Sequence, residues 1–253
     1  MSIELWTTTI NALELWTTNI NKIYLGSTVV FWEAAATNTI ISHASLSTWL
    51  IRYWDFDTNW SFVDKISSTA WTINWATFTS SWKIDWWYIG DWVNDNIDTA
   101  VVIPSKTEGT FNIWVKDTSS SDTATRTIIA DSWGGYFIIR SNYVLTNDGK
   151  FRFNFYSWSW KTVVETTAHN KNQWYMLTCT WDSSNIEMFV DTVSQWTAVA
   201  GALTNNANNL DFFTNAGGTF GDLVLDESWL WNKKLTSWEM SDLYAAWAGL
   251  PYN

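Results

Sequence analysis

The sequence predicts an all-β protein that folds as a two-layer antiparallel β-sandwich with one short helix near the C-terminus. Short apolar segments recur at roughly ten-residue spacing, separated by turn-forming Gly, Asn, Asp and Ser and not by helical segments. The segment 150–156 shows the pattern most clearly. Phe151, Phe153 and Phe155 alternate there with Arg152 and Asn154, which is typical of an antiparallel strand with one buried face.

The predicted strands of this sandwich follow one another along the chain. In order, they cover residues 50–56, 72–79, 97–103, 110–116, 126–130, 136–140, 150–156, 162–166, 174–180, 186–190, 210–214 and 222–231. The helix begins at Thr236, which has the capping-box spacing to Glu239. Met240, Leu243 and Tyr244 share one face of this helix, and residues 245–250 complete it before a proline.

Residues 1–32 form a predicted separate β arm. Their period is ten residues, so that Leu5, Leu15 and Leu25 occupy equivalent positions, and short alternating segments predict small hairpins or a solenoid-like patch. Residues 33–48 are small and polar and are predicted to be a linker. Residues 49–253 are the main domain.

Charge and composition exclude several classes of function. The formal net charge is −11 and the pI is about 4.4, so no basic stripe exists to wrap nucleic acid or to anchor a membrane. The sequence lacks both the apolar run of about 20 residues that a membrane span requires and a signal-peptide pattern. The single cysteine, Cys179, excludes an intramolecular disulfide and is expected to be a buried apolar residue.

Tryptophan is unusually frequent and occupies positions typical of glycine. The chain has 23 Trp but only 11 Gly, and Trp6 and Trp16 fill the repeat position that Gly26 fills in the third copy. Other tryptophans follow Asn, Asp or Ser, where Gly would complete a turn. They are Trp60, Trp75, Trp82, Trp86, Trp92, Trp133, Trp158, Trp160, Trp229 and Trp238.

We interpret most of these positions as glycines whose codons have been translated as tryptophan. UGA is read as Trp in one variant genetic code and as Gly in another, so a UGA-Gly gene translated with the UGA-Trp table would produce this pattern. The alternative is a Trp-rich lectin whose exposed indole rings stack on sugars. Trp54, Trp114, Trp174 and Trp231 lie in alternating apolar contexts and are interpreted as ordinary Trp, whereas Trp32 and Trp181 fit either interpretation.

Read with Gly at those positions, residues 49–251 resemble the laminin G-like domains of the concanavalin A-like jelly-roll superfamily. The segments that carry the resemblance are 50–57, 81–95, 111–116, 174–178, 186–191 and 225–235. The last is the most specific, with Asp226, Glu227 and Trp231 preceding the terminal helix. The resemblance implies a jelly roll in which Asp226 and Glu227 orient the turn before Trp231 and the ordinary tryptophans are structural.

Residues 15–30 resemble a short module of phage virion proteins. The two resemblances together imply a phage structural or adhesion protein at the particle surface, attached to other virion proteins through residues 1–32. Its expected partner is a cell-surface carbohydrate (glycan), with neither nucleic acid binding nor membrane insertion. A homo-oligomer would add avidity to weak single contacts.

Two alternatives to glycan binding stay open. The first is a purely structural virion decoration protein without a glycan site. The second is a glycoside hydrolase of the same superfamily, in which paired carboxylates act. Asp222, Asp226 and Glu227 come nearest to such a set, but they lack the geometry of a retaining mechanism, so the expectation is a protein that is not an enzyme.

The candidate ligand residues lie in predicted loops. Asp91, Asn94 and Asp95 supply oxygens that suit sugar hydroxyls or a hard cation such as Ca²⁺, or else they only build a turn. Asp57 is a further candidate calcium ligand, beside Asp91 and Asp95. Tyr136 is a candidate for stacking on a sugar, with core packing as the alternative.

The two histidines, His43 and His169, also lie in predicted loops, and both are expected at the solvent-exposed surface.

Overall fold

A computed structural model describes most of the chain. It covers residues 22–25, 28–32, 40, 43–56, 63–70, 72–74, 76–80, 86–90, 94–103, 107–119, 125–131, 137–141, 148–157, 160–203, 209–213 and 222–244. The chain divides into two compact units, residues 1–38 and 39–253. This boundary lies inside the segment 33–48 that the sequence predicts to be a linker.

The elements are named in chain order. The strands are β1 (Lys22–Leu25), β2 (Thr28–Trp32), β3 (Leu50–Trp54), β4 (Thr72–Asn74), β5 (Thr77–Ser80), β6 (Trp86–Ile89), β7 (Asn96–Asp98), β8 (Gly109–Asp117), β9 (Arg126–Asp131), β10 (Phe137–Ser141), β11 (Lys150–Ser157), β12 (Trp160–Ala168), β13 (Trp174–Trp181), β14 (Asn185–Val190), β15 (Val193–Val199), β16 (Leu210–Phe212) and β17 (Leu223–Trp231). The helices are α1 (Ala44–Ser47) and α2 (Ser237–Tyr244).

The first unit contains one antiparallel hairpin among its described residues. Strands β1 and β2 pair from Leu25–Thr28 at the turn to Lys22–Trp32 at the open end, with a register shift between Ile23 and Tyr24. This hairpin ends the predicted β arm.

The second unit is a sandwich of two antiparallel sheets, which confirms the predicted fold class. The seven-stranded sheet has the order β12-β11-β10-β9-β16-β7-β4. The eight-stranded sheet has the order β15-β14-β13-β8-β17-β6-β5, and β3 pairs with the second half of β17. Strands β9 to β12 are neighbours in the seven-stranded sheet and β13 to β15 in the eight-stranded sheet, whereas β16 and β17 return to pair with strands that are distant in the chain.

The core lies between the two sheets and is largely aromatic. One continuous buried cluster takes Phe137, Phe153 and Phe155 from the seven-stranded sheet and Phe111 and Trp181 from the eight-stranded sheet. The Phe137 ring meets the Trp181 ring edge-to-face, with the centroids 5.6 Å apart. Cross-sheet contacts of this kind, with the apolar area that they bury, hold the layers together.

A second apolar cluster covers the outer face of the eight-stranded sheet, and we call it the apolar cover. Trp114, Trp229 and Trp231 project outward from β8 and β17, and Leu46 of α1 and Leu243 of α2 pack among them. The indole nitrogen of Trp231 donates a hydrogen bond to the carbonyl of Leu46 at 2.8 Å. The apolar cover therefore attaches Ile40, helix α1 and the C-terminal helix to this sheet.

Helix α2 begins with the predicted capping box. The Glu239 carboxylate accepts from the Thr236 backbone N–H at 2.9 Å, and the Thr236 hydroxyl accepts from the Glu239 N–H at 3.3 Å. These reciprocal bonds satisfy two N–H groups at the helix start. Met240 and Leu243 are buried, as the predicted helix face requires. Within the described residues, no helix is long and apolar enough to cross a membrane.

The backbone adopts left-handed conformations at three positions that matter here. Glu227 has φ 39° at a bulge in β17, where the register to β8 shifts between Asp226 and Ser228. Asp191 and Thr192 have φ 49° and 69° in the tight turn from β14 to β15. A turn with two positive φ values favours Gly, so the branched Thr192 is strained.

The sequence does not predict strands β6 and β15, and the single predicted strand 72–79 is two strands, β4 and β5. Strand β6 was missed because Trp86 was read as a turn residue. Strand β15 was missed because its residues are exposed on both faces, so that it lacks alternation.

The structure corrects the interpretation of several tryptophans as turn residues. Trp86, Trp160 and Trp229 lie in strands and Trp238 lies in helix α2, because backbone hydrogen bonds continue through all four positions. Among the described residues, no Trp has a positive φ. The remaining six of that group lie outside the described residues.

Trp181 packs as an ordinary core residue. A Cβ added at Gly109 on the paired strand β8 would lie 2.2 Å from its ring, so Gly109 makes room for the indole.

Candidate functional site

The outer face of the seven-stranded sheet carries polar and charged side chains instead of an apolar cover. Phe153 and Phe155 of β11 point into the core, so Arg152 and Asn154 point outward, and the same alternation places Asp211 of β16 outward between Leu210 and Phe212. This face is therefore the place in the described fold where polar groups converge on one sheet surface.

One continuous row of residues crosses this face, and we call it the outer row. Each member lies directly opposite the next on the neighbouring strand. The outer row runs from Val163 through Asn154, Ile138, Ala130, Asp211 and Asp98 to Thr72. Its middle is buried, Asp98 and Val163 are part-exposed, and Thr72 is exposed.

Two carboxylates oppose each other at one end of the outer row. Asp211 on β16 pairs with Asp98 on β7, and Asp131 ends the adjacent strand β9. Asp98 accepts hydrogen bonds from the Ala100 N–H at 2.9 Å and from the Asn209 amide at 3.4 Å. Asp131 accepts one from the Phe137 N–H at 3.0 Å.

Asp211 is 8% exposed, and it differs from both neighbours because its buried Oδ1 has no hydrogen-bond partner among the described residues. Burial, and then the negative charges of Asp98 and Asp131, raise the pKa of Asp211 from 3.8 to about 7. Asp211 can therefore carry a proton near neutral pH, directly opposite Asp98.

An arginine and an amide meet near the other end of the outer row. With the Asn154 amide oriented so that both groups are satisfied, its oxygen accepts from Arg140 Nε at 3.2 Å and from Arg140 Nη2 at 3.1 Å. Beside them, Arg152 forms ion pairs with Asp148 and Glu165, and Lys150 lies 2.9 Å from the same Glu165 carboxylate. The guanidinium groups of Arg140 and Arg152 are planar sets of donors that these contacts hold in place.

The structure describes some of the candidate ligand residues and not others. Asn94 is exposed and Asp95 is 1% exposed, and both lie on the segment that enters β7, the strand of Asp98. Asp91, Asp57 and Tyr136 lie outside the described residues. In the part of the chain that the structure describes, no group of three His, Cys, Asp or Glu side chains could hold a metal ion.

The residues expected to be structural lie in the sandwich as follows. Trp54 is fully buried in the main core, and Trp114 and Trp231 are fully buried in the apolar cover. Trp174 is part-buried, and the Lys116 ammonium lies 5.1 Å from its ring centroid. Asp226 and Glu227 are buried at the bulge of β17.

The interpretation of His169 as a surface residue is wrong. Its side chain is 3% exposed and stacks on Phe151, with the ring centroids 3.8 Å apart. Its Nε2 lies 3.2 Å from Asp117 Oδ2, which also accepts from the Ser141 hydroxyl at 2.7 Å. Sequence reasoning missed this because Asp117 is on a strand of the other sheet. His43 is part-buried, and its Nε2 lies 2.9 Å from Asp242 of α2.

Asp117 connects the two sheets at one end of the sandwich. Burial alone would raise its pKa, but hydrogen bonds from His169, Ser119 and Ser141 outweigh it and hold the pKa of Asp117 well below 3.8. The Ser141 hydroxyl donates to the carboxylate and the imidazole contacts the same oxygen. The cluster is therefore a buried carboxylate held by several hydrogen bonds. Cys179 is fully buried, and burial raises the pKa of its thiol.

Sequence reasoning also missed Asp98 and Asp211. Each is a single Asp in a short apolar strand, and neither has a neighbouring motif. An acidic residue at an outward position of a predicted strand is the one available signal, but it does not identify the partner strand.

The chain resembles known proteins in sequence and in fold. Residues 90–241 match the family model Laminin_G_3, described as the concanavalin A-like lectin/glucanases superfamily. A search of curated proteins by sequence found no match.

Among solved structures, the fold is similar to the receptor binding domain of botulinum neurotoxin C/D mosaic serotype, with TM-score 0.63 and 10% identity over 79% of this chain and 51% of that chain. The ligand binding domain of botulinum neurotoxin serotype D, in complex with N-acetylneuraminic acid, gives TM-score 0.64 and 10% identity over 78% and 50%. A Trypanosoma rangeli sialidase gives TM-score 0.60 and 12% identity over 79% and 33%.

This chain thus spans about half the length of the toxin domains and about a third of the sialidase. At these identities the structural likeness shows the fold alone, a jelly-roll sandwich. The family match covers more than half of the residues. The chain therefore belongs to the concanavalin A-like lectin/glucanase superfamily.

Proposed function

We propose that the chain is a non-enzymatic glycan-binding module that acts at the surface of a phage particle. The observation that carries the proposal is the polar outer face of the seven-stranded sheet. On the opposite side of the sandwich, the corresponding face is buried under the apolar cover. The seven-stranded face is therefore the described sheet surface whose chemistry suits a hydroxyl-rich ligand.

Polar groups that can bind a sugar lie at or beside both ends of the outer row. Arg140 offers guanidinium donors and the part-exposed Asp98 offers carboxylate acceptors. Ile138 and Ala130 lie between them and are buried, so a sugar would contact the part-exposed groups at the two ends.

The structural neighbours support the same class of ligand. One toxin domain is in complex with N-acetylneuraminic acid, and the cell entry of another depends on two ganglioside molecules. Arg140 would suit the carboxylate of such an acidic sugar, because a guanidinium binds carboxylates through two parallel hydrogen bonds.

Calcium is part of the proposal. Asp91 and Asp95, with Asp57, would supply carboxylate oxygens, which are the ligands that this hard cation prefers. Asp95 and the exposed Asn94 lie directly before β7, so a bound cation would lie near the Asp98 end of the outer row.

A glycan array probed with the intact chain, with Ca²⁺ and with EDTA, tests the proposal. We expect binding to a defined set of glycans, about tenfold weaker for Arg140→Ala, since one lost charged hydrogen bond costs about 1.5–3 kcal/mol. Lys234→Ala is the matched control, because it removes one charge from a surface ion pair outside the seven-stranded sheet. Absence of binding to every glycan would instead favour a purely structural decoration protein.

The Asp98–Asp211 pair makes a glycoside hydrolase the second candidate. Neighbouring carboxyls with different protonation states are the acid and the base of such enzymes. Against this, Asp211 is nearly buried. Release of reducing sugar from any bound glycan, abolished in Asp98→Asn, would establish the hydrolase and overturn the non-enzymatic proposal.

We propose further that residues 1–32 attach the chain to other virion proteins. Proteomic detection of its peptides in purified particles, and their loss on deletion of residues 1–32, would support this location. Detection of the chain only outside the particles would contradict it. Several copies on one particle would strengthen weak glycan contacts through avidity.

The codon interpretation also belongs to this proposal. The buried indole N–H of Trp229 has no acceptor among the described residues, whereas that of Trp231 bonds to Leu46. The buried indole N–H of Trp181, which packs as an ordinary core residue, also has no acceptor among the described residues, so this feature does not distinguish Trp from Gly at position 229. UGG codons at Trp16, Trp92 and Trp229 in the coding DNA would refute the codon interpretation, and UGA codons would support it.

A further inference from the structure

Strands β7 and β4 are joined to the rest of the seven-stranded sheet through one short contact, which we call the joint. Strand β16 pairs with β7 at Asp211–Asp98 and Phe212–Ile97. Two backbone hydrogen bonds extend the contact, from the Thr99 N–H to the Leu210 carbonyl at 3.2 Å and from the Leu210 N–H to the Val101 carbonyl at 2.8 Å. Strand β4 pairs with β7 and lies at the end of the sheet, so its position depends on the joint.

The joint contains two like charges when both carboxylates are ionised. Residues directly opposite in an antiparallel pair have their Cβ atoms about 5 Å apart, and like charges there weaken the pairing. Asp98 accepts hydrogen bonds from two donors. The buried Oδ1 of Asp211 has none among the described residues, so Asp211 is the carboxyl that accepts the proton.

The described charged groups that act on Asp211 are both carboxylates. They are Asp98 of β7 and Asp131 of β9. The other charged residue of β9, Arg126, lies at the opposite end of that strand, where it pairs with Ser141. Strand β16 itself carries no further charged residue.

We propose that the Asp98–Asp211 pair is a proton-operated joint, in which a proton on Asp211 removes the repulsion between the two opposed carboxyls and holds β7 and β4 to the sheet, and its loss at alkaline pH loosens them. The joint does not require glycan binding, although Asp98 also belongs to the proposed glycan face, and Asn94 and Asp95 lie on the segment that enters β7 and would move with it.

The direction of the pH effect follows from the raised pKa of Asp211. Because this pKa is about 7 in the folded joint and 3.8 ordinarily, the folded joint binds more protons than the open one. The stability that the proton contributes is complete below about pH 4 and is lost as the pH rises through about 7. Between pH 5.5 and 8.5 the opening equilibrium should increase about 30-fold.

Amide hydrogen exchange on the full chain, resolved at residues 72–74 and 96–98, tests the joint. Wild type and Asp211→Asn are compared at pH 5.5 and at pH 8.5, because a comparison at one pH cancels the intrinsic pH dependence of exchange. We expect wild type to lose about 30-fold protection relative to Asp211→Asn on going to pH 8.5. Asp98→Asn should lose less protection than wild type but more than Asp211→Asn, because burial, the larger cause, still raises the pKa of Asp211 when residue 98 is neutral.

Glu108→Gln is the control, since it removes one exposed negative charge before β8 in the other sheet. It should exchange as wild type does. Equal pH dependence in wild type and Asp211→Asn would overturn the joint, and so would a Glu108→Gln variant that matches Asp211→Asn. Failure of both Asn variants to fold at pH 8.5 would overturn it as well, because each removes the repulsion that the joint requires.

Discussion

The two outer faces of the sandwich have opposite chemistry although the same strand alternation produces both. On the eight-stranded sheet, the outward positions of β8, β13 and β17 hold Trp114, Met176, Trp229 and Trp231 under α2. On the seven-stranded sheet, the outward positions form a row with Asn154, Asp211 and Asp98. The difference shows that alternation determines which residues face outward, whereas their identity determines whether that face is packed by apolar side chains or carries polar and charged groups.

The apolar cover contributes to stability and the polar face does so much less. Burying apolar area contributes about 25 cal/mol per Å², so three tryptophans and the helix residues that cover them contribute several kcal/mol. Charged groups in hydrogen-bond networks roughly recover their desolvation cost. A protein that retains such groups on one face does so at little gain in stability, which fits a face used for binding.

The largest effect is expected from a substitution that disrupts the apolar cover. Trp231→Ala should lower the free energy of unfolding by about 3–5 kcal/mol, because it opens a cavity and removes the bond to Leu46. Urea unfolding followed by far-ultraviolet circular dichroism measures this. Trp238→Ala on the same helix-covered side is the control, since Trp238 is 81% exposed, and it should change stability by less than about 0.5 kcal/mol. Equal losses in both variants would contradict the packed cover.

A smaller effect is expected at Asp117, whose carboxylate accepts several hydrogen bonds, in contrast to the buried Oδ1 of Asp211. Asp117→Asn should lower the free energy of unfolding by about 1–3 kcal/mol, because Asp117 holds His169 and Ser141 by charged hydrogen bonds. Its depressed pKa means that this contribution is present above about pH 4 and is lost only as the pH falls toward the folded pKa. The difference from wild type should therefore stay constant from pH 5 to pH 9.

Unfolding curves at pH 5, 7 and 9 measure this difference. They also contrast Asp117 with Asp211, whose ionisation weakens the fold as the pH rises within that range. An Asp117→Asn effect that disappears at pH 9 would show that the depressed pKa of Asp117 is wrongly assigned.

Particular elements show where sequence reasoning works for this fold. The Phe151–Phe153–Phe155 alternation identified β11 and its buried face, and the Thr236–Glu239 spacing identified the start of α2, because both signals are local. Strands β6 and β15 were missed since one begins with two consecutive Trp and the other is exposed on both faces.

The residues of the candidate site are harder to predict from the sequence. Asn94 and Asp95 were recognised as an oxygen-rich segment, and the structure places them on the segment that enters β7. Asp98 and Asp211 were not recognised, and His169 was placed on the surface although it is buried against Phe151. Each of these depends on a partner that is distant in the chain.

The sequence by itself determined the all-β class, the outward and inward sets of most strands and the capped C-terminal helix, because side-chain alternation and capping act over a few residues. Only the tertiary structure decided that Asp211 lies opposite Asp98 and that Asp117 meets His169. Strand order and register place those carboxyls together, and both depend on packing across the whole sandwich. The chemistry that this protein can perform follows from those long-range pairings.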